Sequence, residues 1–319
     1  MIIFGGSNSS NHAEKVAKLK NHELGEIEVR QFPDSELYVR ILSNVKDREC
    51  VVMQSTQNND NLIELLIILD ALMDLKAKKV TAVIPYLGYA RQDKRFKSGE
   101  ALSARTVLKL IRNSADRLIT VNCHFLNEGG AFDVDDYFDV TSRFFEKNMK
   151  SDTFDDIHFD KKIKNNGKQE LIVENIDAFP VVAKYFKSKF NENLVVIAPD
   201  KGALQHAKLA ADVIGCEFDY LEKTRLSGDA VTIKTKSLNI KNQNVLILDD
   251  MISTGGTIAE SAKIIRQCGA KTINVGCVHG VFSKGTEMFK GVVDEVVCTN
   301  TINRECSRVD VSGLIAGSL

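Results

Sequence analysis

Asp249 and Asp250 stand at the end of the apolar run Val245-Leu246-Ile247-Leu248, and Met251-Ile252-Ser253-Thr254-Gly255-Gly256-Thr257 follows them. These residue types suit a phosphorylated sugar. Adjacent carboxylates accept hydrogen bonds from hydroxyl groups. Main-chain N–H groups at a glycine-rich turn and a helix start point at an anion, and glycines let a phosphate approach the backbone. Such a site needs a strand that ends at the acidic pair, because open α/β sheets bind ligands at the carboxyl ends of their strands. It also needs a helix directly after the glycines. Thr257 and Glu260 have capping-box spacing, which predicts the helix start there. The plain alternative is a capped strand-to-helix connection. It leaves the coincidence of acidic pair, hydroxyls and paired glycines without a reason.

Other residues could do related chemistry. Tyr89-Ala90-Arg91-Gln92-Asp93-Lys94-Arg95 follows a predicted strand ending at Pro85. It is dense in donors for polyphosphate and a nucleobase edge, although a solvated charge run has the same composition. Phe32-Pro33-Asp34-Ser35-Glu36 sets an aromatic face beside two carboxylates, which could stack on adenine and bond its amino group. Taken alone, an ordinary turn between two strands explains it better. Lys223 and Arg225 lie two apart at a predicted strand's end, so they point the same way. By themselves they read as a surface pair on an edge strand. His124 ends the stretch Val121-Asn122-Cys123-His124 and divides evenly between a satisfied histidine and a metal ligand. His12, His22, His158, His206 and His279 lack metal-ligand spacing with one another. Asp133, Asp135, Asp136 and Asp139 fit a solvated face at least as well as a metal site. No Gly-x-x-x-x-Gly-Lys-Ser/Thr motif occurs, so nucleotide use cannot rest on a P-loop.

The elements that must hold these residues alternate. Short β-branched runs interleave with helical patterns at 11–20, 62–75, 103–113, 178–190, 203–214, 257–268 and 284–289. That alternation predicts an α/β fold of parallel sheets with helices on both faces, in two successive parts. Asn61, with Glu64 three residues later, reads as the N-cap of the apolar helix 62–75. The boundaries fall at 1–140 for the first domain, 141–174 for a Lys-, Asp- and Asn-rich insertion, and 175–303 for the second domain. The segment 304–319 could pack back on the first.

The chain has 319 residues, 44% of them apolar and 27% charged, with 42 basic against 43 acidic side chains. A net charge of −1 gives no global field for nucleic acid or an anionic membrane. The charged residues Glu64, Asp70 and Asp74 rule out 62–75 as a membrane span. Seven cysteines without a Cys-x-x-Cys pair fit a reducing compartment, and the N-terminus has no leader pattern, so a cytoplasmic protein is expected.

The loop 249–257 resembles the phosphoribosyl pyrophosphate-binding loop of the phosphoribosyltransferase superfamily. Together with Phe32–Glu36, Arg91-Gln92-Asp93, Val121–His124, Ala198-Pro199-Asp200-Lys201-Gly202 and Leu221-Glu222-Lys223-Thr224-Arg225, it resembles ribose-phosphate pyrophosphokinase over nearly the whole chain. Gly99-Glu100-Ala101-Leu102-Ser103 and Pro199–Leu204 resemble the archaeal-type branch. The resemblance implies two phosphoribosyltransferase-like domains, each a mainly parallel sheet flanked by helices. It implies diphosphoryl transfer from ATP to ribose 5-phosphate with Mg²⁺ as cofactor, and a homo-oligomer of at least two copies. The implied roles are specific. Phe32, Asp34, Ser35, Glu36, Arg91, Gln92 and Asp93 bind ATP, the adenine turn serving a neighbouring subunit. Asp249 and Asp250 hold the ribose hydroxyls. Ser253, Thr254, Gly255, Gly256 and Thr257 cradle the 5-phosphate, joined by Arg225 as a ribose 5-phosphate ligand. His124 and Asp200 hold the metal, and Lys223 and Arg225 act catalytically. Ser35 replaces a common glycine, Ser253 replaces a common third Asp, and the insertion has no counterpart. Two rival readings are a phosphoribosyltransferase that consumes phosphoribosyl pyrophosphate and a non-catalytic regulatory paralogue.

Overall fold

The computed structural model describes the chain apart from residues 127–128, 136, 139–170, 191–192, 228–229 and 236–238, and it describes no side chains at 222–235. Gly228, Asp136, Asp139, His158 and most of the insertion fall outside these limits. Two compact units emerge, Met1–Ile176 with Ile315–Leu319, and Asp177–Leu314.

The first unit opens with β1 (Ile2–Gly5), α1 (Ser10–Lys20), β2 (Glu23–Leu24), β3 (Ile27–Gln31), β4 (Leu37–Ile41), β5 (Glu49–Met53) and α2 (Asn59–Asp74). It continues with β6 (Lys79–Ile84), α3 (Ser103–Arg112), β7 (Arg117–Val121), β8 (Gly130–Asp133) and β9 (Ile172–Ile176). The sheet order is β2-β1-β5-β6-β7-β9-β8, parallel except at β8. Parallel strands buried on both faces read as continuous apolar runs, and Ile2, Ile3, Phe4, Val51, Val52, Met53, Ala82, Val83 and Ile84 are all buried. β3 and β4 stand apart as an antiparallel hairpin.

Several expectations need adjustment. Ile172, Val173 and Glu174, placed in the insertion from sequence, run inside this sheet beside β7. α2 begins earlier than expected, with Asn58 as its N-cap accepting from the Asn61 N–H at 2.9 Å. Glu64 is no capping partner. It is buried and accepts from the N–H and hydroxyl of Ser7. Asp135 of the acidic cluster pairs with Arg112 at 2.6 Å. At the C-terminal end of the chain, Arg117 donates to the Ser318 carbonyl at 2.8 Å.

The second unit contains α4 (Phe179–Lys189), β10 (Leu194–Ala198), α5 (Leu204–Ile214), β11 (Glu217–Ser227), β12 (Ala230–Thr235) and β13 (Asn244–Ile252). It ends with α6 (Gly256–Gln267), β14 (Thr272–Gly280), β15 (Glu295–Thr299), β16 (Ser307–Val309) and α7 (Ser312–Ser318), the last crossing into the first unit's residues. Its sheet runs β12-β11-β10-β13-β14-β15-β16, antiparallel only at β12. The helix expected at 284–289 reduces to a single 3-10 turn, Glu287–Phe289, because Gly285 takes a left-handed φ of 73°. Among the described residues no helix is long and apolar enough to cross a membrane.

Candidate active site

In the second unit, β13 is the central strand and runs through both carboxylates before it ends at Ile252. The strand therefore carries Asp249 and Asp250 at its carboxyl end rather than in the loop beyond. The Asp250 N–H donates to Asp249 Oδ1 at 3.0 Å. Burial, and then the neighbouring Asp250 carboxylate, push the Asp249 carboxyl up to about 8, with Asp200 adding to the shift. Two acids close together in a dry site disfavour full ionisation. Such a pair is ready to take up hydroxyl donors or a cation.

The turn after β13 is held from below. The N–H groups of Val281 and Phe282 both reach the Ile252 carbonyl at 3.1 Å, and the Ser283 N–H reaches the Ser253 carbonyl at 2.9 Å. Gly255 has φ +84°, and a Cβ there would sit 2.8 Å from the Phe289 ring and 2.9 Å from Met288 Sδ. Only glycine meets both demands. Gly256 differs, since an added Cβ would meet nothing nearer than Thr254 Oγ1 at 3.9 Å. Its missing side chain leaves room on the outer side. α6 starts at Gly256 with Gly255 as N-cap and no side-chain cap, so the expected Thr257–Glu260 capping box does not form. An uncapped helix start is an anion site by geometry.

Asp200 follows β10. Its Oδ1 accepts from the N–H groups of Gly202 at 2.8 Å and Ala203 at 3.3 Å, an Asx turn that aims the exposed residue beside the acidic pair. Lys223 and Arg225 lie in β11 opposite Ile233 and Val231 of β12 in the backbone ladder. The irregularity in the ladder falls directly after Arg225. His206 stacks on Phe179 with ring centroids 4.4 Å apart.

In the first unit, the loop after β6 spends much of its polarity on itself. The Glu100 carboxylate accepts from the N–H groups of Phe96 at 2.7 Å and Lys97 at 3.0 Å, and from the Gln92 amide at 3.3 Å. Those main-chain donors hold the Glu100 carboxyl below its usual range. The Gln92 amide also donates to the Lys94 carbonyl. Asp93 is buried and accepts from the Tyr137 hydroxyl at 3.0 Å. Arg91 is exposed. Glu100 and Tyr137 are organisers that sequence reasoning passed over. Glu100 stood only in a motif, and Tyr137 is 44 residues from Asp93.

The hairpin turn carries Phe32, 41% exposed, with the Arg30 guanidinium 5.0 Å from its ring centroid. Ser35 sits at φ 73°, a left-handed conformation that favours glycine. Asp34 Oδ1 accepts from the Glu36 N–H at 3.3 Å. His124 is exposed just past β7. Among the described residues no cluster of three or more His, Cys, Asp or Glu forms a metal cage.

Comparison with known proteins matches these features to two family models: the N-terminal domain of ribose phosphate pyrophosphokinase over residues 1–114, and the phosphoribosyl transferase domain over 169–311. A ribose-phosphate pyrophosphokinase from Methanothermobacter thermautotrophicus is 37% identical, over 99% of this chain and 98% of its own. Ribose-phosphate pyrophosphokinase 2 of Archaeoglobus fulgidus is 36% identical over 96% of each. The crystal structure of phosphoribosylpyrophosphate synthetase from Mycobacterium smegmatis superposes with a TM-score of 0.78 at 27% identity, over 99% of this chain and 96% of that one.

Proposed function

The chain belongs to the ribose-phosphate pyrophosphokinase family, and on that premise we propose that it transfers the diphosphoryl group of ATP to the anomeric hydroxyl of ribose 5-phosphate. The products are 5-phosphoribosyl 1-pyrophosphate and AMP. The observation that carries the reading is the uncapped, glycine-lined start of α6 directly after the Asp249–Asp250 pair.

The chemistry follows from the parts. The 5-phosphate sits on the N–H groups of 253–257 at the helix start, where the dipole favours negative charge. Asp249 and Asp250 accept from the ribose hydroxyls and fix the anomeric oxygen. That oxygen attacks the β-phosphorus of ATP, the bond from the β-phosphorus to the α-bridging oxygen breaks, and AMP leaves. Transfers of this kind need positioning and charge neutralisation more than covalent help. Lys223 and Arg225 meet the charge that grows on the β-phosphate oxygens, and Arg225 also contacts the ribose 5-phosphate. Phe32, Asp34, Ser35 and Glu36 receive adenine. Arg91, Gln92 and Asp93 form the ATP loop, with Arg91 on phosphate and Gln92 and Asp93 keeping the loop's shape.

Mg²⁺ suits this donor set. It takes one or two carboxylates and completes its shell with water and substrate phosphate, so no preformed cage is needed. Asp200 and His124 are the residues that would hold it, and when bound it supplies charge neutralisation on the phosphates. A protein of this kind acts in solution as at least a homodimer, in the cytoplasm, without a nucleic-acid or membrane partner.

The test is direct. Protein incubated with ATP, ribose 5-phosphate and Mg²⁺ should release AMP and form 5-phosphoribosyl 1-pyrophosphate. Absence of AMP, with pyrophosphate released instead from phosphoribosyl pyrophosphate and a nucleobase, would replace this reading with a phosphoribosyltransferase.

A further inference from the structure

Three of the cysteines gather in the second unit, Cys277 and Cys298 on neighbouring strands and Cys306 in the turn before β16. Cys277 of β14 stands opposite Cys298 of β15 in the ladder. The Cys298 N–H donates to the Cys306 carbonyl at 3.0 Å, and the two sulfur atoms are 3.5 Å apart. Cys298 and Cys277 are buried, whereas Cys306 is partly exposed. The Cys298 thiol hydrogen-bonds Cys306, and Arg308 and Arg304 lie close. Together these draw the Cys306 thiol down to about 7, while the same bond, and then burial, push Cys298 far above its usual value. A partly exposed, thiolate-prone sulfur with a second thiol at contact distance is the arrangement of a sensor and its resolving partner.

The pair is mechanically joined to the phosphate turn. Arg304, two residues before Cys306, donates to the carbonyls of Gly280 at 3.0 Å and Val281 at 2.8 Å. Val281 and Phe282 in turn hold the Ile252 carbonyl, and Ser283 holds that of Ser253. The sulfurs must approach by about 1.5 Å to reach a bond length of about 2.0 Å. That movement pulls on the 300–306 connection and on Arg304.

We propose that Cys298 and Cys306 form a reversible disulfide under peroxide and that the bond loosens the grip on ribose 5-phosphate by displacing the Arg304 strap. The Cys306 thiolate attacks one peroxide oxygen. An S–O bond forms, the O–O bond breaks, and hydroxide leaves as water, giving a sulfenic acid. Cys298 then loses its proton and attacks the Cys306 sulfur. The S–S bond forms, the S–O bond breaks, and a second water leaves. Two thiols are oxidised by two electrons and one peroxide is reduced to two waters. The effect on ribose 5-phosphate rests on the function proposed above, whereas the bond itself does not.

Trypsin cuts after Lys290, Arg304 and Arg308, so the two cysteines fall in separate peptides, 291–304 and 305–308. Hydrogen peroxide applied to the folded protein should link these peptides, dithiothreitol should release them, and Cys306→Ser should prevent the link. Over the same titration the KM for ribose 5-phosphate should rise about fivefold or more, with KM for ATP little changed, and Cys306→Ser should keep its starting KM. No 291–304 to 305–308 link, or a link from Cys298 to Cys277 instead, would overturn the proposal. A link that leaves the ribose 5-phosphate KM unmoved would overturn the coupling. Protein inactive while fully reduced would count against the proposed function, and the peptide map would still decide the disulfide.

Discussion

Asp249 concentrates the physics of the site in one side chain. Its carboxyl is raised to about 8 by burial and by Asp250, so the folded protein holds a proton that the unfolded chain gives up near 4. The sign is therefore unfavourable to folding. The cost is absent below the unfolded value, grows as pH rises from about 4 to about 8, and is constant above that. Asp249→Asn removes it. In thermal melts without ligand or Mg²⁺, the variant should exceed the parent in Tm by a margin that widens between pH 5 and pH 8, while its affinity for ribose 5-phosphate falls. A margin that shrinks with rising pH would contradict this account. In the proposed mechanism Lys223 works in the opposite sense, as a cation that matters only when charge develops. Lys223→Ala should lower kcat by about 10²- to 10³-fold with ATP affinity largely kept, as measured by steady-state kinetics beside nucleotide binding. Unchanged turnover would remove Lys223 from the mechanism.

At the level of elements, the strand-turn-helix unit of β13 and α6 does most of the positioning. A parallel central strand brings the carboxylates to the carboxyl edge of the sheet, where open α/β sheets bind ligands, and the helix after it starts without a side-chain cap. The turn between them tolerates little change at Gly255. Gly255→Ala would force an alanine into a left-handed conformation at about 1–2 kcal/mol and press its Cβ on Phe289 and Met288. The expected outcome is a lowered Tm together with weaker ribose 5-phosphate binding by calorimetry. A Tm equal to the parent's would show that the turn can relax. The loop after β6 uses another device, a carboxylate at its centre. Glu100 collects the Phe96 and Lys97 N–H groups and the Gln92 amide, so the loop keeps its shape by internal bonds.

Across the whole molecule, the proposed ATP residues belong to one unit and the proposed ribose 5-phosphate residues to the other. The family resemblance further assigns the adenine turn to a neighbouring subunit. A mixing experiment follows at this scale. Asp34→Ala and Lys223→Ala, each poorly active alone, should recover part of the parental activity when unfolded and refolded together, because some mixed pairs regain one intact site. Activity no greater than the mean of the two separate variants would place the turn and the cations in a single chain. The shared α/β plan of both units was legible from the alternation of β-branched runs and helical patterns. The separation of the β3–β4 hairpin from the sheet was not, since strand propensity is the same in a sheet and outside one.

What the sequence by itself determined is local. Asp249 to Thr257 are contiguous, so the acidic pair, the hydroxyls and the glycines specify a strand, a glycine-rich turn and a helix wherever the unit places them. Apolar runs such as Val245–Leu248 likewise announce a strand covered on both faces. Tertiary structure alone decided the rest. It set the Asp249 carboxyl at about 8, because burial and the proximity of Asp200 arise only when β10 and β13 pair. It put Tyr137 on Asp93, drew Ile172–Ile176 into the first sheet, and placed Cys306 against Cys298 beside the Arg304 strap. The physical reason is range: propensities, caps and turn geometry act over a few residues, whereas burial and strand order depend on which distant segments share one core.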